Sequence, residues 1–279
     1  MTILRRLPMV IALLALTASM VGHEAAAQTP SPIAEWQYSA GVALRSMFEE
    51  KIPDWEVEIG VAADIYPVYP GAGKYRVQPG PNLDVRYKDQ AFFSTGEGLG
   101  VNLLSEKTYR AGVALGFDTG REAHSATRLR GTGDIGYALT PKLFAEYVMF
   151  PVVLRADVRR ALGGADGWIG DLSAYMPVYG TEKFFVFAGP TVTFADDTYN
   201  RHYFGISATQ SQRSGLPLYK AGAGAQSAGF GSSMTWFVTD HWMVDGGVSA
   251  QRLLGDAAHS PLVQQRLQYE ASFSIGYLF

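Results

Sequence analysis

The stretch Leu267-Gln268-Tyr269-Glu270-Ala271-Ser272-Phe273-Ser274-Ile275-Gly276-Tyr277-Leu278-Phe279 decides the fold. Leu267, Tyr269, Ala271, Phe273, Ile275, Tyr277 and Phe279 take every second place. Gln268, Glu270, Ser272, Ser274, Gly276 and Leu278 lie between them. A period of two is a β-strand with one apolar and one mostly polar face. Thirteen residues are enough to cross a bilayer at a tilt. A soluble protein would rarely expose so long an apolar strand at an edge, because such an edge aggregates.

The same period recurs upstream. Trp55, Val57, Ile59, Val61, Ala63 and Ile65 alternate with Glu56, Glu58, Gly60, Ala62 and Asp64. Tyr75 to Tyr87 alternates in the same way, with Lys74, Arg76, Gln78, Gly80, Asn82, Asp84, Arg86 and Lys88 on the polar side. Pro79 and Pro81 break the ladder hydrogen bonding there and suggest a bulge or bend. Further segments follow at Tyr109–Phe117, Ile135–Leu139, Trp168–Val178, Phe184–Phe194, Phe230–Val238 and Trp242–Ala250. Two are less regular: Phe92–Leu104 is interrupted by Gly96, Gly98 and Gly100, and Leu143–Arg160 changes phase near Pro151. Thr140-Pro141-Lys142, Gly180-Thr181-Glu182 and Thr239-Asp240-His241 read as short turns, and 118–130, 196–227 and 253–265 as long connections.

Short turns at one end and long loops at the other are the pattern of an all-β, transmembrane antiparallel β-barrel. The long loops are then external. Aromatic residues near the strand ends, among them Trp55, Tyr87, Trp168, Trp236, Trp242 and Tyr277, would form the interface girdles. Eleven segments can be counted, and both termini on one side require an even number. The expectation is a barrel of about 12 strands with Trp36–Met47 as the twelfth. The alternatives are 10, by merging around Gly96–Gly100, or 14, by splitting at Pro151.

The other end of the chain agrees. Arg5 and Arg6, the apolar run Met9–Val21 and the small residues Ala25-Ala26-Ala27 read as a secretory signal peptide over residues 1–27. The run is shorter than the roughly 20 residues of a spanning helix. Residues 28–279 are then the barrel domain. There is no cysteine, so the fold is held without disulfides, and a net charge of −3 does not suit a nucleic-acid binder.

Blocks of the chain resemble the MipA/OmpV family of outer-membrane proteins. They are Leu253-Leu254-Gly255-Asp256-Ala257-Ala258 with Ser260-Pro261, Tyr203-Phe204-Gly205-Ile206-Ser207, Tyr66-Pro67 with Tyr69-Pro70-Gly71, and Gly98-Leu99-Gly100-Val101-Asn102. The chain departs from the family at His259, where an acidic residue is common, and at Tyr69-Pro70-Gly71-Ala72, where Tyr-Glu-Gly-Ser is common. The resemblance implies localisation in the cell outer membrane among its lipids. It also implies a structural role in the cell envelope: a scaffold that brings murein synthases and a lytic transglycosylase together. A narrow pore for small solutes and a surface adhesin built from 196–227 are the alternatives. The terminal strand ending at Phe279 resembles the signal read by the barrel assembly machinery. Deleting Phe279 is expected to lower barrel assembly while leaving secretion intact; unchanged barrel levels in outer-membrane fractions would contradict this.

The chemistry-bearing residues give no catalytic, cofactor-binding or metal site. His124, His202, His241 and His259 have no ligand spacing with one another. Asp196 or Asp197 with His202 and Ser207, and Asp256 with His259 and Ser260, hold the residue types of a Ser–His–acid hydrolase, but polar loops supply such sets without catalysis. Ala221-Gly222-Ala223-Gly224-Ala225 lacks the Lys-Ser/Thr of a phosphate loop. No enzyme activity and no cofactor are expected. The opposed charges of Glu56, Glu58 and Asp64 against Lys74, Arg76, Arg86 and Lys88 read as an internal salt-bridge network across paired strands, or as an ion-selective lining. Leu253 and Leu254 would pack inside the barrel mouth or contact a partner.

Overall fold

A computed structural model describes residues 53–279. Residues 1–27, expected to be a signal peptide, and Trp36–Met47 lie outside the described residues. Twelve antiparallel strands close into a barrel without them. They are β1 (Trp55–Pro67), β2 (Tyr75–Tyr87), β3 (Ala91–Ser94), β4 (Gly98–Ser105), β5 (Tyr109–Asp118), β6 (Ala138–Met149), β7 (Val152–Arg160), β8 (Trp168–Gly180), β9 (Phe184–Ala195), β10 (Gly224–Phe237), β11 (Trp242–Leu253) and β12 (Leu267–Leu278). Each pairs with its sequence neighbours, and β1 pairs with β12 to close the ring.

The count of twelve holds, with a different make-up. Thr140-Pro141-Lys142 is not a turn but the inner part of β6, whose burial alternates at every residue from Ala138 to Met149. The strand keeps Leu139, Pro141, Leu143 and Tyr147 on the outer face and Thr140, Lys142, Phe144 and Glu146 inside. The turn falls instead at Phe150–Pro151, where the outward positions switch from odd to even; this is the phase change seen in the sequence. The glycine-broken segment 92–104 likewise folds back on itself, giving β3 and β4.

The alternation works by solvent. Outward side chains such as Val61, Val77, Phe230, Val248 and Phe273 have no protein neighbour to cover them and are exposed. Their place in a closed barrel suits hydrocarbon, because paired strands satisfy one another's backbone groups. Along β12 the six outward positions, Leu267 to Tyr277, belong to the apolar set read from the sequence, and Gln268, Ser274 and Gly276 are buried inside.

The wall has one low section. β3 has four residues and pairs with β2 only from Asp84 to Tyr87. The upper half of β2 keeps its full register with β1, Trp55 opposite Tyr87 through Pro67 opposite Tyr75, so Pro79 and Pro81 mark no bulge. The Leu83 carbonyl accepts from the Thr95 amide at 2.9 Å on the β3 side. Alternate residues along a strand point their backbone groups to the same side, so Pro81 and Pro79 turn their nitrogens to the side where β3 has already ended. Proline is tolerated there because it has no N–H to leave unpaired.

The loops divide by length. Residues 88–90, 106–108, 150–151, 181–183 and 238–241 join strands at the end where β12 finishes. At the opposite end, 119–137, 196–223 and 254–266 fold into a cap. It contains α1 (Asp197–Phe204), α2 (Ala208–Ser214) and α3 (Gly255–His259). Asp196 caps α1 by accepting from the Tyr199 amide at 2.7 Å, and Ser207 forms a capping box with Gln210 on α2.

Candidate functional site

The interior carries most of the polar chemistry. On the β2–β7 side an unbroken chain of opposite charges runs round the wall. Arg86 grips Asp84 with two contacts, at 2.9 and 3.0 Å, and reaches Glu97 at 3.6 Å. Glu97 holds Arg155 at 3.2 Å, and Arg155 donates to Glu146 as well. Glu146 accepts two bonds from Arg110, at 3.1 and 2.7 Å, and Arg110 ends the chain on Asp89 at 3.4 Å. Two of the guanidiniums lie over aromatic rings, Arg86 over Phe92 at 5.7 Å and Arg155 over Phe144 at 5.6 Å, and these rings pack edge to face. The charged groups are thus paired, hydrogen-bonded and backed by apolar surface, the conditions under which buried ions are tolerated.

A second cluster sits nearer the cap. Arg159 bridges Asp157 at 2.6 Å and Asp171 at 2.7 Å, and Thr193 donates to Asp171. Tyr175 and Phe187 pack edge to face inside β8 and β9 and are almost fully buried. Asn82 donates to Glu58 at 2.7 Å between β2 and β1.

This network extends the charge pairing drawn from the sequence. β1 and β2 do pair, and Glu56 stands opposite Arg86. Arg86 also pairs with Asp84 on its own strand and with Glu97 in the β3–β4 turn. Lys88 points out of the barrel to Asp54 at 3.7 Å. Arg110, Glu146 and Arg155 were not singled out, although their parity, opposite to the apolar positions of their strands, marks them as inward-facing.

The cap is a small hydrophobic core of its own. Tyr199, Tyr203 and Phe204 of α1 pack with Ala257, Ala258 and Leu253, while Tyr69, Leu129, Ile206 and Leu262 form an adjoining cluster. Leu253 therefore fills the mouth, and Leu254 is half-buried beside it. The Tyr203 hydroxyl donates to Asp118 at 3.0 Å, and Tyr199 stacks on it with ring centres 4.8 Å apart. Burial, then Tyr199 and Asp118, hold the Tyr203 phenol well above its ordinary pKa. Leu129→Ala should therefore cost about 2–5 kcal/mol locally. The measurement is proteolysis and hydrogen exchange of 119–137 and 196–223, which should quicken while the barrel keeps its heat-dependent gel shift; unchanged protection would show that the cap does not depend on this contact.

The Ser–His–acid sets do not assemble. His202 bonds the Thr198 carbonyl, Ser207 and Asp196 cap helices, Ser260 donates to the Phe204 carbonyl, His259 bonds the Gly255 carbonyl, and Asp256 accepts from the Gly222 amide. In the Ala221–Ala225 stretch, the Gly222 carbonyl also accepts from Asn200, and β10 begins at Gly224. Between cap and second ion cluster lies a cavity of about 110 Å³, lined by Arg76, Gly120, Arg121, Arg159 and Tyr203 among others. Arg121 is buried, and burial pulls its pKa down to about 10.

Solved structures give distant likenesses. One is a bacterial polysaccharide outer membrane secretin (10% identity, 80% of this chain and 98% of that one, TM-score 0.42). Others are Neisserial surface protein A (10% identity, 82% and 98%, TM-score 0.26) and OmpT of Vibrio cholerae (9% identity, 82% and 99%, TM-score 0.35). No curated protein matches the sequence. The family described as MltA-interacting protein MipA matches residues 59–279, from the third turn of the alternation in β1 to the last residue. That span takes in the barrel and the cap together, and the chain belongs to the MipA family of outer-membrane β-barrels.

Proposed function

We propose that this protein is a structural anchor in the outer membrane that docks enzymes of murein synthesis and hydrolysis. The observation that carries the reading is the filled interior: among the described residues the ion chain, the Arg159 cluster and the cap core occupy successive levels of the barrel. A barrel filled in this way is suited to holding a shape rather than passing solutes. Its strand number, between the filled barrels of about eight strands and the open porins of about 16–18, allows either. The family's own description names an interaction with MltA, which supports an envelope partner.

The surface available to a periplasmic partner would be the short turns. Lys183 and Asp240 lie 3.6 Å apart and join two of them into one charged patch, with Glu182 and His241 beside it. Affinity capture with the full-length protein from cross-linked envelopes should recover a murein synthase and a lytic transglycosylase. Lys183→Glu should reduce that recovery without changing barrel levels. Recovery of neither enzyme, together with solute uptake by liposomes carrying the protein, would replace this reading by the pore.

A further inference from the structure

The low section of the wall faces a charged cavity. Above the β3–β4 hairpin, Tyr75–Asn82 of β2 has no strand on that side among the described residues, and the next described wall is β5 from Gly116 upward. Two strands are missing, so the gap spans three inter-strand steps, or about 14 Å between strand axes. Its upper edge is closed by the cap, where Val68 and Tyr69 pack in one cluster with Ala126 and Leu129. Its lower edge is the turn Thr95-Gly96-Glu97. The result is a window, not an open rim.

Three features bear on what fills it. The outward residues beside it are apolar: Val77, Leu99, Leu115 and Phe117 are exposed. The backbone edge of β2 has lost two donors to Pro79 and Pro81, which discourages another strand from pairing there. Its remaining carbonyls cannot face hydrocarbon bare, so the window is lined by water or polar groups. Immediately inside, the cavity of about 110 Å³ is lined by residues from both sides of the window, Arg76 on β2 and Gly120 and Arg121 just after β5.

Arg121 supplies the charge. It is 4% exposed, gives one hydrogen bond to the Tyr203 carbonyl at 2.7 Å, and leaves its Nε without a partner. Among the described residues it has no ion pair, and Asp134 acts on it only at longer range. Two acidic residues, Asp171 and Glu270, also line the cavity. Asp171 is held by Arg159 and Thr193, and Glu270 and Asp64 share the surroundings of Tyr66 with Arg76. Inside β2, a methyl group added at Gly80 would meet nothing within 4 Å, so the lumen beside the window has room.

We propose that the window admits an anionic single-chain amphiphile from the outer leaflet, a fatty-acid carboxylate or similar, with its head group on Arg121 in the cavity and its tail outside the polar window, laid along the outward side chains of Val77, Leu99, Leu115 and Phe117. The cavity holds a head group and not a chain, so the tail has to leave through the window, where Val77 and Phe117 stand on either side. This binding is independent of any docking on the periplasmic turns.

The test uses the full-length protein in lipid nanodiscs with palmitate carrying a photoactivatable diazirine on its chain. Cross-links should concentrate at Val77, Phe117 and Thr95–Glu97. Arg121→Gln should weaken labelling about tenfold, the size expected for losing a hydrogen-bonded charge, and Arg121→Lys should restore part of it. Gly80→Leu, whose Cβ meets nothing within 4 Å, should keep the fold and block labelling. Labelling spread evenly round the belt, with Phe230 and Phe273 marked as strongly, would overturn the proposal. So would displacement of palmitate by inorganic phosphate, which would make the cavity a site for free anions. If Arg121→Gln does not assemble, undiminished labelling of Gly80→Leu overturns it alone.

Discussion

Glu146→Gln is expected to lower the unfolding free energy of the refolded barrel by about 3–5 kcal/mol, because it removes a buried carboxylate on which two buried guanidiniums converge. Glu146 is 3% exposed and takes bonds from both Arg110 and Arg155. With its charge gone, Arg110 retains Asp89 at 3.4 Å, and Arg155 retains Glu97 at 3.2 Å. The cost is that of stranding positive charge in a dry interior rather than the net worth of the pair. Replacing all three groups together, Arg110→Met, Glu146→Leu and Arg155→Met, should accordingly cost less than the single change. Guanidinium unfolding in phospholipid vesicles measures both. A loss below about 1 kcal/mol for Glu146→Gln would mean that lumen water solvates the chain as it does a surface pair.

The second large effect is on the outside. Val248 is 59% exposed at the middle of β11, between Ser232 of β10 and Ala271 of β12. In a soluble protein arginine there would be harmless. On a lipid face near the bilayer midplane, Val248→Arg should cost about 2–4 kcal/mol. Val248→Ala serves as the control for lost size and should cost much less, since lipid takes up the space. Equal losses for the two variants in vesicles would place Val248 away from the hydrocarbon.

How far the sequence can be read depends on how far apart the interacting residues lie. β1, β2 and β12 follow from alternation alone, since side-chain direction along a strand is local. β6 was misread at Thr140-Pro141-Lys142 because those residues favour turns. The parity of Leu139, Pro141 and Leu143 nevertheless ran through them unbroken. β3, with four residues, is too short to show a period, so the expected twelfth strand was sought in Trp36–Met47 rather than in the folded-back segment 92–104. The cap helices had legible starts in Asp196 and in Ser207 with Gln210, hidden by the polar composition of the long loop.

The ion chain is the part that could not be read. Glu97 and Arg155 are 58 residues apart, and no local pattern says that a turn after β3 and the middle of β7 meet inside the ring. Parity gave the inward direction of Arg110, Glu146 and Arg155; only closure of the barrel gave their partners. The Pro79 and Pro81 pair was visible as an anomaly, and its reason, an edge that β3 is too short to cover, needed the length of β3.

Ion conductance across a planar lipid bilayer, recorded on the purified full-length protein after reconstitution, tests the account most directly. A barrel filled by the Asp84–Asp89 ion chain and closed by the cap should insert, as shown by its heat-dependent gel shift, and pass no stable current steps. Regular open-channel steps with charge selectivity would contradict it, showing that the interior is a pore lining and not the packed centre of an anchor.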